Sequence, residues 1–323
     1  MLPLNPYSPP PLLFNAHLET IYPSLFRKVE TQPYRRERIE TPDDDFLDLD
    51  WMENPDSNPG ASSQLVIISH GMEGNSHRAY VRGMARAFFN EGVDVLAWNY
   101  RGCSEEMNRL VRFYHSGATE DLECVISHAL SSGKYTQIFL IGFSLGGNLT
   151  LKYLGERGKS IPRQLAKAVT FSVPMDLATG CLKISKRSNW VYTQRFLKSA
   201  KRKLRTKAIQ HPQINLDGIE SIKNLRDLDD RYTAPLHGFA DAPHYYAECS
   251  AGRYVTNITL PTLIVNAKND PFLSPECSPV SLLQNHPFVT LETPDRGGHV
   301  GWTLFNANGL YWSELRALEF IQP

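Results

Sequence analysis

The run Ile138-Phe139-Leu140-Ile141-Gly142-Phe143-Ser144-Leu145-Gly146-Gly147 decides the fold. Ile138 to Ile141 reads as a strand, and Leu149 to Leu154 lies within a helix. Between them stands G-x-S-x-G. That pattern is weak alone; the strand–turn–helix setting makes it specific. A nucleophile in this setting sits in a strained turn with positive φ. Its neighbours must nearly vanish, hence Gly142 and Gly146. The turn lifts the Ser144 hydroxyl above the sheet edge, at a helix N-terminus whose backbone donors stabilise developing negative charge. The competing reading is a glycine-rich tight turn with an incidental serine.

The flanking sequence alternates in the same way. Leu65-Val66-Ile67-Ile68 is a continuous apolar run, as expected of a strand buried on both faces. Ala79 to Asn90 has helical spacing, Val93 to Trp98 reads as strand, Thr119 to Leu130 as helix and Ala168 to Phe171 as strand. Such alternation predicts an α/β protein whose parallel sheet carries helices on both faces. Ahead of it, to about Asn58, short extended stretches and turn residues predominate. Tyr34 to Glu40 and Phe46 to Met52, joined by Pro42-Asp43-Asp44-Asp45, predict an antiparallel hairpin, and Pro55 to Ser63 a polar loop. The alternation breaks between roughly Val173 and Asn257, which reads as a helical insertion on top of the sheet. It resumes with a strand at Thr262 to Asn266, a helix at Pro275 to Leu283, a strand at Phe288 to Leu291 and a closing helix at Tyr311 to Ile321. The expected organisation is therefore a core of residues 1–172 and 258–323 interrupted by a helical cap of residues 173–257.

A serine hydroxyl needs a base, and the base needs an orienting acid. Asn269-Asp270-Pro271 follows one predicted strand at its carboxyl end, and Gly297-Gly298-His299 follows the next. Ser144, Asp270 and His299 thus stand in the chain order this arrangement requires. Asp295 is the rival acid, on the histidine's own loop; a helix cap is the bland reading of Asp270. The oxyanion needs two backbone N–H groups: Leu145, directly after the nucleophile, and Met72 in His70-Gly71-Met72-Glu73-Gly74, where Gly71 lets the chain turn towards the site. His70 reads as a brace for this loop. Gly71 and Gly74 as plain turn residues is the alternative.

These residues carry a resemblance. The chain resembles an α/β-hydrolase fold serine hydrolase, and more narrowly the branch of bacterial YheT-like proteins and yeast medium-chain ethanol acyltransferase/esterases. The matching stretches include Phe14-Asn15-Ala16-His17-Leu18-Glu19-Thr20-Ile21, His70 to Gly74, Asn99-Tyr100-Arg101-Gly102-Cys103, Gly142 to Asn148, Leu151 to Glu156, Asn269 to Phe272 and Gly297 to Gly301. They span nearly the whole chain in order. The resemblance implies a mostly parallel eight-stranded sheet with an inserted helical cap. It assigns the nucleophile to Ser144, the acid to Asp270 and the base to His299. It implies cleavage of short- to medium-chain acyl or lipid esters through an acyl-serine, with no metal and no organic cofactor. Acyl transfer to an alcohol, thioesterase or amidase activity, and a non-enzymatic binding protein are the alternatives. An H-x-x-x-x-D acyltransferase signature is missed by one residue, because Asp121 lies six positions after His115.

Composition sets limits. With 323 residues, 41% hydrophobic and 21% charged, the chain can bury a large core. A formal net charge of zero argues against a nucleic-acid partner. The five cysteines, Cys103, Cys124, Cys181, Cys249 and Cys277, are far apart and lack C-x-x-C, so neither zinc nor a disulfide framework is expected. No export signal or spanning apolar run is read, which makes cytoplasmic the expected location. The average charge hides one asymmetry: the forty residues between Asp176 and Asp217 hold ten Lys or Arg and no acid. A solvated helix face is the plain reading, and peripheral contact with an anionic lipid surface is the sharper one.

Overall fold

The computed structural model describes residues 6–54 and 63–322. The loop expected at Pro55 to Ser63 falls, but for Ser63, outside them. Eight strands form one sheet: β1 (Arg35–Glu40), β2 (Phe46–Met52), β3 (Ser63–Ser69), β4 (Asp94–Asn99), β5 (Tyr135–Phe143), β6 (Leu165–Phe171), β7 (Thr262–Val265) and β8 (Val289–Glu292). Their order is β1-β2-β4-β3-β5-β6-β7-β8. β2 runs antiparallel to β1 and β4, and every other pairing is parallel. This is the mostly parallel sheet the sequence implied.

Strand periodicity divides the core between the two faces. Leu65, Ile67, Leu96, Trp98, Ile138 and Leu140 point to one side, into a cluster with Leu122, Val125 and Ile126 of α3 (Thr119–Ser131) and Leu149 of α4 (Leu145–Arg157). Val66, Ile68, Val95, Ala97, Phe139 and Ile141 point to the other. There they meet Val81, Met84 and Phe88 of α2 (Ala79–Asn90) and Trp312 and Leu318 of α11 (Trp312–Ile321). The β1–β2 hairpin is held in register by charge as well as by its ladder. Arg36 opposes Asp50 and Arg38 opposes Asp48, with Nε···Oδ1 distances of 2.5 and 2.7 Å.

Three expectations need correction. The first segment is not merely extended: α1 (Ala16–Phe26) precedes the hairpin, with Asn15 Oδ1 capping the Leu18 N–H at 2.9 Å. The segment Pro275 to Leu283 is not one helix. A 3₁₀ turn, Pro275–Cys277, is followed by a separate short α10 (Val280–Leu283). Pro279 lacks the N–H that would continue the first turn and disfavours helical geometry at Ser278. The basic run is also not a uniformly solvated face, as described below.

Between β6 and β7 lie α5 (Leu177–Ile184), the long α6 (Trp190–Gln210), the short α7 (Leu225–Leu228) and α8 (Ala234–Leu236), and α9 (Ala242–Cys249). Ile184, Leu197, Leu204, Ile219, Leu225 and Leu228 form their own apolar cluster, against which Met72 and Phe272 of the sheet-end loops also pack. Of the ten cations, Lys207 is fully buried. Its Nζ donates to the carbonyls of Asn108 and Leu110, both at 2.6 Å, and burial pushes its pKa down to about 8. Lys186, Arg187, Arg195, Lys198 and Arg202 remain exposed.

Arg101, directly after β4, ties the hairpin turn to α3. It contacts Asp43 and Asp45 at 3.0 Å and Asp121 at 2.7 Å. The side chains of Asp45 and Asp121 are 0% and 2% exposed. Asp121 is therefore engaged structurally, by Arg101. Arg101→Leu leaves buried carboxylates without their cation, and is expected to destabilise the fold by about 3–5 kcal/mol. Urea unfolding measures it; a midpoint equal to wild type would show the cluster to be dispensable.

Candidate active site

Ser144 occupies the one-residue turn between β5 and α4, at φ 53° and ψ −117°. Its N–H donates to Phe171 O at 2.9 Å, pinning the turn to β6. The turn can form because the chain passes so close to its neighbours. A Cβ on Gly146 would lie 2.4 Å from Ser69 O, and one on Gly142 would lie 2.6 Å from Gly146 O. On the facing loop, a Cβ on Gly71 would meet Ser144 Cβ at 3.3 Å. The His70–Gly74 loop therefore lies directly against the serine.

The structure brings the three expected side chains together. His299 Nε2 lies 2.9 Å from Ser144 Oγ, and His299 Nδ1 lies 2.8 Å from Asp270 Oδ2 and 3.1 Å from Oδ1. Asp270 is 2% exposed, and its Oδ1 also accepts the Phe272 N–H at 2.8 Å. Phe272 covers the imidazole with ring centroids 4.2 Å apart. The rival acid does not approach: Asp295 is exposed and paired with Lys268 at 2.8 Å. With Oδ2 on the carboxylate accepting from Nδ1–H, Nε2 is left as an acceptor facing the hydroxyl.

His70 is buried at the start of the loop that faces Ser144. Its Nδ1 donates to Gly71 O at 2.8 Å, and its Nε2 accepts the Tyr100 N–H at 3.3 Å. Burial lowers its pKa to about 3, so the ring stays neutral and holds the loop. Tyr80 Oη receives the Gly71 N–H at 2.9 Å. Met72 and Leu145 both line the cavity that opens on Ser144.

Two residues that sequence reasoning left without a role position the loops that carry Asp270 and His299. Glu19 on α1 is fully buried. Its carboxylate accepts from Asn269 Nδ2 on the acid loop at 3.1 Å, and from Arg296 Nε and Gly297 N–H on the histidine loop, both at 2.7 Å. Thr20 Oγ1 accepts the His299 N–H at 2.9 Å. One polar turn of α1 thus sets the separation between the acid and histidine loops. The available signal was Asn15 as a helix cap followed by Glu19 and Thr20.

Backbone strain clusters here. Apart from Asp44, the described non-glycine residues with positive φ are Glu73, Ser144, Ser172, Val300 and Trp302, all on loops around this site. Val300 N–H is fixed by Ser172 Oγ at 2.9 Å.

The cavity has a volume of about 550 Å³ and runs from Ser144 and His299 up to the helices between β6 and β7. Leu145, Leu204, Leu225, Leu228, Tyr232 and Phe272 contribute apolar wall, and Glu73 and Lys203 are among several charged residues that also line it. Its size suits a small organic ligand. Among the described residues no helix is long and apolar enough to cross a membrane.

Comparison with known proteins gives the family. A family model described as "Serine aminopeptidase, S33" (Hydrolase_4) matches residues 60–295. YheT of Escherichia coli strain K12 is 36% identical over 294 residues, covering 89% of this chain and 84% of YheT. Phospholipase ABHD3 of Mus musculus is 30% identical over 276 residues, covering 83% of this chain and 66% of that protein. An esterase structure from Pyrococcus furiosus superposes with a TM-score of 0.57 at 18% identity, covering 92% of this chain and 97% of that one, which speaks to the fold. The chain belongs to the Hydrolase_4 family of α/β-hydrolases and is similar over most of its length to YheT.

Proposed function

We propose that the chain is a carboxylic ester hydrolase acting through an acyl-serine intermediate on short- to medium-chain acyl or lipid esters. The observation that carries this reading is the continuous relay from Asp270 through His299 to Ser144, opening into an apolar cavity. His299 Nε2 takes the Ser144 proton as Oγ attacks the ester carbonyl, and the oxygen becomes an anion held by the Leu145 and Met72 N–H groups. The C–O bond to the alcohol then breaks, and His299 returns the proton to the leaving oxygen. Water, deprotonated by His299, attacks the acyl-serine; the acyl C–Oγ bond breaks, His299 returns the proton to Ser144 Oγ, and the acid leaves. Asp270 fixes the imidazole tautomer and stabilises its charged form throughout.

An apolar wall beside the nucleophile favours an acyl chain over a peptide, and the phospholipase and esterase relatives favour ester over amide cleavage, despite the peptidase wording of the family description. A series of p-nitrophenyl esters from acetate to palmitate, beside the matching anilides, tests it. Ester turnover is expected to peak at short to medium chains, with the matching anilides slower, because the amide carbonyl is less electrophilic and its nitrogen must be protonated to leave. Anilides cleaved as fast as esters would sink the ester assignment. Added ethanol gives ethyl esters only if acyl transfer competes with hydrolysis.

A further inference from the structure

A second polar cluster lies in the cavity wall, where the oxyanion loop meets α6. Glu73 follows Met72 and holds a left-handed backbone at φ 55°. A side chain in that region costs energy and persists only where its surroundings fix it. Here they do. The Glu73 N–H donates to Tyr114 Oη at 2.9 Å, and its carbonyl accepts from Arg78 Nη2 at 2.9 Å. Tyr114 Oη donates to Glu73 Oε1 at 2.8 Å, and Lys203 Nζ reaches the same oxygen at 3.1 Å. Ser199 Oγ donates to Oε2. Ser199 and Lys203 are four residues apart, so they present side by side on one face of α6. The charged pair is largely withdrawn from water, with side chains 14% and 12% exposed. On the other side of Met72, Gly71 is held by Tyr80 and pressed against Ser144.

We propose that Glu73 is a positioning residue: α6, through Lys203 and Ser199, grips its carboxylate and thereby holds the Met72 N–H at the angle the oxyanion requires. Docking of α6 on the oxyanion loop then sets the rates of both acylation and deacylation, whose transition states share the same oxyanion, separately from substrate binding. This rests on the ester-hydrolase reading given above. It also gives a place to Lys203, whose counter-charge lies in the core rather than within the acid-free run.

The test compares Glu73→Ala, Glu73→Gln, Lys203→Met, the double variant Glu73→Ala/Lys203→Met and the exposed control Lys198→Met on p-nitrophenyl butyrate. Amide hydrogen exchange of residues 71–74 is followed in parallel. Glu73→Ala is expected to lower kcat on the order of 10²-fold, as loss of an oxyanion donor does, with KM little changed. Glu73→Gln keeps one acceptor oxygen, enough for Tyr114 or for Ser199 but not for both, and recovers part of the rate. Lys203→Met loses about 10-fold, and the double variant is no slower than Glu73→Ala, because both changes break one unit. Exchange at 71–74 accelerates in these variants and not in Lys198→Met. Unchanged kcat in Glu73→Ala, a loss confined to KM, or multiplicative losses in the double variant would overturn the proposal. A wild type inactive on every ester would instead count against the ester reading. Exchange at 71–74 would then decide the clamp: protection equal to wild type in Glu73→Ala overturns it, and lost protection upholds it.

Discussion

Ser144→Ala is expected to abolish labelling by a fluorophosphonate probe and to lower ester turnover by about 10⁵–10⁶-fold, the scale found when the nucleophile of such a unit is removed. The magnitude follows from what remains. Without Oγ no acyl-enzyme forms, and the site retains only its oxyanion donors and its apolar cavity, which alone sustain roughly 10³–10⁴-fold catalysis over water. Fold should persist, because Ser144 Oγ has His299 as its partner and the turn is held by the backbone bond from Ser144 N–H to Phe171 O. His299→Ala should cost nearly as much, and the double variant no more than either, because the pair acts as one device. Active-site titration with the probe, paired with circular dichroism, measures all three. Labelling of Ser144→Ala at the wild-type rate would place the nucleophile elsewhere.

Much of this architecture was legible because its signals are local. Interior strands such as Leu65 to Ile68 are buried on both faces and therefore read as unbroken apolar runs, and the turn at Ser144 demands glycine on either side. The acid and histidine loops were legible through order: each follows a parallel strand, and the sheet brings the carboxyl ends of successive strands to one edge. The buried side of α1 was not legible. Glu19 and Thr20 resemble ordinary surface residues of a short helix until the loops of residues 269 and 297 are known to lie over them, some 250 residues away in sequence. The same limit applies to the cationic run. Lys203 and Lys207 differ from Lys198 only in what packs against them, namely Glu73 on one loop and the carbonyls of Asn108 and Leu110 on another. Charge patterning reports how many cations a helix carries and not which of them turn inward.

Asp270→Asn is expected to cost about 10⁴-fold in kcat/KM at neutral pH, by fixing the imidazole in the wrong tautomer. The structure makes this sharper than loss of a charge. Asp270 Oδ1 is held by the Phe272 N–H at 2.8 Å, a donor that an amide nitrogen cannot satisfy. In the asparagine variant the amide oxygen must take that position, which turns the NH₂ group towards His299 Nδ1 where Oδ2 now stands. Nδ1 then accepts instead of donating, the ring proton moves to Nε2, and Nε2 faces Ser144 Oγ unable to receive its proton. Asp270→Ala removes the charge but leaves the tautomer free, so it is expected to be no slower than Asp270→Asn despite losing more contacts. The comparison needs kcat/KM on p-nitrophenyl butyrate and the fluorophosphonate labelling rate for both variants, with folding checked by circular dichroism. An asparagine variant within about 10-fold of wild type, far short of the cost of a misdirected tautomer, would mean that Asp270 does not orient the base.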